Sequence, residues 1–120
     1  MNNFLRAQCG GAKNFFPLPN AIFSLGLSTG ELAVYAYLMY CEDRKSHQCW
    51  PSYKTIGEAV GMSRNTVQKY VRELEYKALI ITEPTKYESG GGQVRNGNLI
   101  FTILPIQGAI EYHNECQLSR

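Results

Sequence analysis

Residues Tyr53–Arg72, YKTIGEAVGMSRNTVQKYVR, decide the fold. Ser52 stands just before the stretch and Ser63 inside it, and a serine hydroxyl caps a helix N-terminus well. Helices are therefore expected over Tyr53–Val60 and from Arg64 to about Lys77. Gly61 lies between them, where a sharp turn needs the positive φ that a Cβ disfavours. Gly57 supplies a small residue where the second helix crosses the first. Ile56, Val60, Met62, Val67 and Tyr70 are placed to lock the pair together. Val67, Tyr70, Val71 and Leu74 follow the i, i+3, i+4, i+7 rhythm of one apolar helical stripe. The opposite side holds Arg64, Asn65, Gln68, Lys69 and Arg72, with no acid between Arg64 and Arg72.

This is the pattern of a helix-turn-helix, whose second helix aims its N-terminal end at the DNA major groove. An ordinary helical hairpin explains the glycine turn. It does not explain the basic outward side. Ser63, Arg64, Asn65, Thr66 and Gln68 form the expected base-reading set. Within it, Arg64 suits a bidentate contact to guanine, and Asn65 or Gln68 suits adenine. Ser52, Tyr53, Lys54 and Thr55 open the first helix of the pair, where backbone N–H groups and side chains can hold phosphate. Lys69 and Arg72 are also expected at phosphate.

Upstream, Ser28-Thr29-Gly30-Glu31 reads as a capping box. A helix from Thr29 to about Glu42 follows, apolar on almost every side, so it should be the most buried. Asn14–Leu18 is expected as a short strand, Asn20–Leu25 as a helical turn, and Asp43–Gln48 as a loop. Downstream, Leu79–Thr82 and Asn98–Leu104 are β-prone. The Gly-, Asn- and charge-rich segment between them, with Gly90–Gly92 at its tip, makes a hairpin with a long loop. Pro105–Arg120 is expected as a tail holding one short helix, with Ile106, Ala109, Ile110 and His113 on one side. Met1–Lys13 reads as a loose tail.

The stretch WPSYKTIGEAVGMSRNTVQKYVRELEYKALI and the strands Ile80–Glu83 and Leu99–Leu104 resemble the winged-helix family. The likeness is closest to GntR-type proteins and to helix-turn-helix proteins of phages and conjugative elements. PNAIFSLGLSTGELAVYAYL resembles the first helix of the same family, so the resemblance covers about residues 20–104. It implies a recognition helix in the major groove, a second helix braced on phosphate, and a wing touching the backbone or minor groove. Lys86, Gln93 and Arg95 are the wing candidates. The chain departs from the pattern in two places. The position before the first strand, usually glycine, is Ala78, and the wing is longer than usual.

The totals agree. At 120 residues and 44% hydrophobic content, one folded domain is expected. The base excess lies in the middle: residues 1–43 carry a net −1, residues 44–95 a net +4, and residues 96–120 a net −1. No run reaches membrane-spanning length and no signal leader opens the chain, so a cytoplasmic location is expected. Cysteines 9, 41, 49 and 116 contain no C-x-x-C pair. Cys41, His47 and Cys49 are more simply a core cysteine and two loop residues than zinc ligands. Trp50 is expected to pack over the edge of the core, with Pro51 leading into the next helix. No catalytic motif occurs.

The expected fold is therefore α+β, mainly α: a three-helix winged helix-turn-helix with a C-terminal β-hairpin wing, spanning 14–104 between tails 1–13 and 105–120. The expected function is sequence-specific binding of double-stranded DNA, as a transcriptional regulator of a phage or mobile element. No enzymatic activity, cofactor, metal or membrane association is expected. A homodimer would use the first helix or the C-terminal tail. The alternatives are a replication-initiation or partition module, which also binds DNA, and a protein-interaction scaffold, which does not.

Overall fold

The computed structural model describes residues 15–88, 90–92 and 94–118. Phe15–Pro19 form no regular structure, so the described part of the strand expected over Asn14–Leu18 is absent; Asn14 lies outside the described residues. Pro17 and Pro19 lack amide donors and cannot continue a ladder. A short 3-10 turn, Asn20–Ser24, follows and buries Ile22.

Helix α1, Thr29–Cys41, begins as expected. The Ser28 hydroxyl accepts from the Glu31 amide at 3.2 Å, and the Ser28 amide donates to Glu31 Oε1 at 3.3 Å. Gly30, Glu31, Val34, Tyr35, Leu38 and Met39 are buried in one stripe. The remaining apolar residues are partly covered or exposed. Tyr40 lies outside the stripe, with its ring 5.9 Å from Phe16 and 5.8 Å from Tyr37.

Helices α2, Tyr53–Val60, and α3, Arg64–Tyr76, pack on α1 and on each other. Their buried side chains are Ile56 on α2 and Val67, Val71 and Leu74 on α3. A three-stranded antiparallel sheet closes the core. It consists of β1 (Gln48–Cys49), β2 (Ile80–Glu83) and the strand Ile100–Ile103, which lies between them. Between β2 and that last strand, β3 (Lys86–Glu88) pairs with β4 (Val94–Asn96) as a separate ribbon, so the last strand is β5. The wing is thus a two-part hairpin, broken at Pro84 and Thr85. Phe101 and Ile103 of β5 point into the core. The strand β1 was expected as loop; it exists because Gln48 and Cys49 pair with Thr102 and Phe101 at the free edge of β5. The last described element is α4, Ile106–Leu118, which is longer than the short helix expected and lays Ala109 against the core.

Both α2 and α3 close with the same backbone bond. The Met62 amide donates to the Gly57 carbonyl at 2.9 Å, and the Leu79 amide donates to the Leu74 carbonyl at 3.1 Å. The residue bridged over must be left-handed. At α2 it is Gly61, with φ 75°. At α3 it is Ala78, with φ 63°. An alanine there bears a steric cost that glycine escapes. Ala78→Gly should therefore stabilise the protein by about 1 kcal/mol despite the looser unfolded chain, read as a higher thermal midpoint. A lower midpoint would show that Ala78 is not strained.

Candidate nucleic-acid interface

The geometry of the α2–α3 turn starts at Gly57. A Cβ there would overlap the Met62 carbonyl oxygen, with the Val67 side chain 3.6 Å away. The close approach is therefore turn backbone on helix backbone, and not helix on helix alone. Ile56 and Val67 lock the pair as expected, with Val60 and Met62 partly buried beside them. Tyr70 does a different job from the one expected. Its ring covers Gly30, where any Cβ would collide with it, so it fastens α3 to α1.

The N-termini of α2 and α3 are capped alike. The Ser52 hydroxyl accepts from the Thr55 amide at 3.0 Å, and the Ser63 hydroxyl accepts from the Thr66 amide at 3.2 Å. Each serine oxygen also lies 2.9 Å from the threonine hydroxyl. These four side chains hold the helix ends in shape as well as facing outward. Arg64, Asn65, Lys69 and Arg72 of α3 are exposed, and Gln68 is half-buried on the same helix. Among the described residues, Arg64, Lys69 and Arg72 make no ion pair with Glu58, Glu73 or Glu75. The Lys69 ammonium sits 5.4 Å from the centroid of the Tyr70 ring, which braces its stem. Lys54 and Thr55 are exposed on the first turn of α2.

Tyr53 is half-buried, with its ring 6.4 Å from Phe101. Burial, and then the Glu75 charge, raise its pKa, with Arg72 acting in the opposite sense. The hydroxyl is therefore a donor at neutral pH. Lys86 is exposed at the start of β3. Gln93 and the Arg95 side chain lie outside the described residues.

Two features of this face were not expected. Trp50 does not pack over the core; it is 59% exposed. Its carbonyl accepts from Asn98 Nδ2 at 3.2 Å, which ties the entrance of α2 to the base of the wing. Asn98 was read only as the first residue of a strand, and no local signal marks it, because its partner is 48 residues away.

Cys41 and Cys49 take structural positions. Cys49 is buried in β1, not in a loop, and its thiol points at the Leu38 carbonyl at 3.6 Å. Burial, then the neighbouring Cys41 and Glu42, push its pKa up to about 12. Cys41 is half-buried, and His47 turns to the Glu42 carboxylate at 3.4 Å. Among the described residues no three His, Cys, Asp or Glu side chains are grouped to hold a metal ion.

With three helices, a capped turn and a wing, the fold is that of a winged helix-turn-helix. Residues 25–80 match a family model described as a helix-turn-helix domain. One similar solved structure is the "Possible transcriptional regulator from Methanosarcina mazei Go1", with 18% identity and a TM-score of 0.52. The match covers 81% of this chain and 72% of that one. Another is a mutant of ZitR from Lactococcus lactis, solved in complex with DNA, with 18% identity and a TM-score of 0.43. That match covers 98% of this chain and 74% of the other. No curated protein sequence matches. No helix among the described residues is long and apolar enough to cross a membrane.

Proposed function

We propose that this protein binds double-stranded DNA sequence-specifically, as a cytoplasmic transcriptional regulator of a phage or other mobile element. The observation that carries the reading is the unpaired basic side of α3. Long cationic side chains held there by salt bridges would serve the fold, whereas free ones beside a capped helix N-terminus serve a polyanion. Arg64 and Asn65 lead the base-reading set, joined by Gln68, Ser63 and Thr66. Ser52, Tyr53, Lys54, Thr55, Lys69 and Arg72 hold phosphate, and Lys86, Gln93 and Arg95 act from the wing. No step of this function needs catalysis. Domain limits of 14–104 follow from the same reading. Of the two dimer surfaces, α4 is the better suited, because α1 spends its stripe on the core while Leu118 of α4 is 86% exposed.

The test is selection from a random duplex pool, followed by a salt titration on the enriched site. An enriched motif whose affinity falls steeply with salt is the expected result. No binding at low salt would remove DNA from the account and leave a protein-interaction scaffold. On the selected site, Arg64→Ala should weaken binding by about tenfold and relax one base position. Lys86→Ala should weaken every sequence to a similar, smaller extent. If Arg64→Ala lost as much on random DNA as on the selected site, Arg64 would be a phosphate ligand.

A further inference from the structure

We propose that the DNA contact continues past the recognition helix, across the base of the wing, to Trp50, whose indole packs on the sugar–phosphate backbone of the flanking duplex. The inference rests on the DNA-binding reading above and deepens it.

The argument begins with two clefts that share Asn98. One, of about 180 Å³, is lined by Ser52, Tyr53, Arg64 and Asn98 among others, so it opens between the N-termini of α2 and α3. The other, of about 420 Å³, is lined by Trp50, Thr85, Asn98 and Ile100. The two clefts meet at Asn98, the first against the start of the recognition helix and the second against Trp50. Among the described residues no Asp or Glu lines either cleft. One end offers a guanidinium, hydroxyls and helix N-termini. The other offers an aromatic ring beside an aliphatic side chain. A nucleic-acid strand carries anionic phosphate beside an apolar sugar face, and the two clefts offer one partner for each.

Trp50 is also held in place. Its carbonyl is fixed by Asn98 Nδ2 at 3.2 Å. The wing base carrying Asn98 is fixed in turn, by the Gly97 amide donating to the Thr85 carbonyl at 2.7 Å and by the Thr85 hydroxyl donating to the Asn98 carbonyl. With the backbone pinned, binding has only the torsions of the indole itself to order. Leaving a tryptophan 59% exposed gives up much apolar burial, so the fold itself has little use for it there. The indole N–H can donate to a phosphate oxygen while the ring covers the sugar.

Trp50 is the chain's single tryptophan, so its emission reports on this one site. Parallel titrations of the full chain would follow a labelled duplex by anisotropy and, with unlabelled duplex, Trp50 emission excited at the red edge, where the tyrosines stay silent. The expected result is an emission change with the same midpoint as the anisotropy change. Trp50→Ala should weaken selected and random duplexes alike, by roughly tenfold, and Trp50→Phe by less. Binding with unchanged emission and an unaffected Trp50→Ala variant would overturn the contact and leave the DNA-binding reading standing. A Trp50→Ala loss confined to the selected site would overturn the backbone assignment. No anisotropy change with any duplex at low salt would overturn both readings.

Discussion

Gly57→Ala should lower the stability of the protein by about 3 kcal/mol, although it places the best helix former in a helix interior. Propensity alone argues the other way, since alanine is favoured over glycine there by about 1 kcal/mol. The local structure decides. The new Cβ would overlap the Met62 carbonyl oxygen, which is backbone and cannot rotate away. Met62 is held from its other side by its amide's 2.9 Å bond to the Gly57 carbonyl, so relief requires opening the turn itself. Moving the turn shifts α3 against α2 and disturbs Ile56 and Val67, both fully buried. Overpacking of this kind costs about 1–3 kcal/mol, with the upper end fitting a rigid backbone neighbour. Denaturant titration measures it. Unchanged or raised stability would mean that the turn can open, and that Gly57 has no steric reason to be glycine. Gly61→Ala is a useful contrast. It meets no atom within 4 Å, so its cost comes from φ alone and should be near 1 kcal/mol.

The second large effect concerns the ion pair between the ends of α1 and α3. Lys77 Nζ lies 2.6 Å from Glu31 Oε2, with Glu31 almost wholly buried and Lys77 mostly so. Burial opposes the Glu31 charge, but the bonds from Lys77 and Ser28 outweigh it, and its pKa lies below the ordinary carboxylate value. Lys77→Met removes the compensating charge and keeps the aliphatic stem. A carboxylate is then left buried and unpaired, which costs about 2–3 kcal/mol at neutral pH once the partial exposure of Lys77 is allowed for. The pH dependence distinguishes this from simple loss of packing. In the native protein the lowered Glu31 pKa contributes stability above the unfolded-state pKa, and that contribution is lost as pH falls through the folded value. In Lys77→Met the protonated acid is the more comfortable form, so acid relieves the variant while it weakens the native protein. The gap between the two midpoints should therefore narrow as pH falls towards the carboxylate range. A gap independent of pH would assign the loss to packing and not to the charge.

Much of the helical part was legible along the chain. Capping depends on side chains three residues from the amides they serve, so Ser28, Ser52 and Ser63 announce α1, α2 and α3 directly. Periodicity is equally local, and it placed Val67, Val71 and Leu74 on the inner side of α3. The left-handed residue at Gly61 was visible because glycine is the residue that adopts that φ cheaply. The same conformation at Ala78 was marked only as a departure from a resemblance, since alanine carries no such signal. The outward set Arg64, Asn65, Lys69 and Arg72 could be read because what is absent from an apolar stripe must lie outside it.

The rest depended on groups distant in sequence. Strand β1 has two residues and no pattern of its own; it forms because β5 offers an unpaired edge more than 50 residues later. Tyr70 looked like a contact between α2 and α3, and the packing of α3 on α1 turned it onto Gly30. The Glu31–Lys77 pair joins residues 46 apart. Trp50 was expected over the edge of the core from its place at the junction before α2; the tertiary structure left it exposed and fixed its backbone to Asn98. Capping and periodicity are decided within a turn or two of chain, and the sequence carries them by itself. Strand pairing, ion pairing and the final exposure of a large side chain depend on which surfaces meet, and only the folded chain decides that.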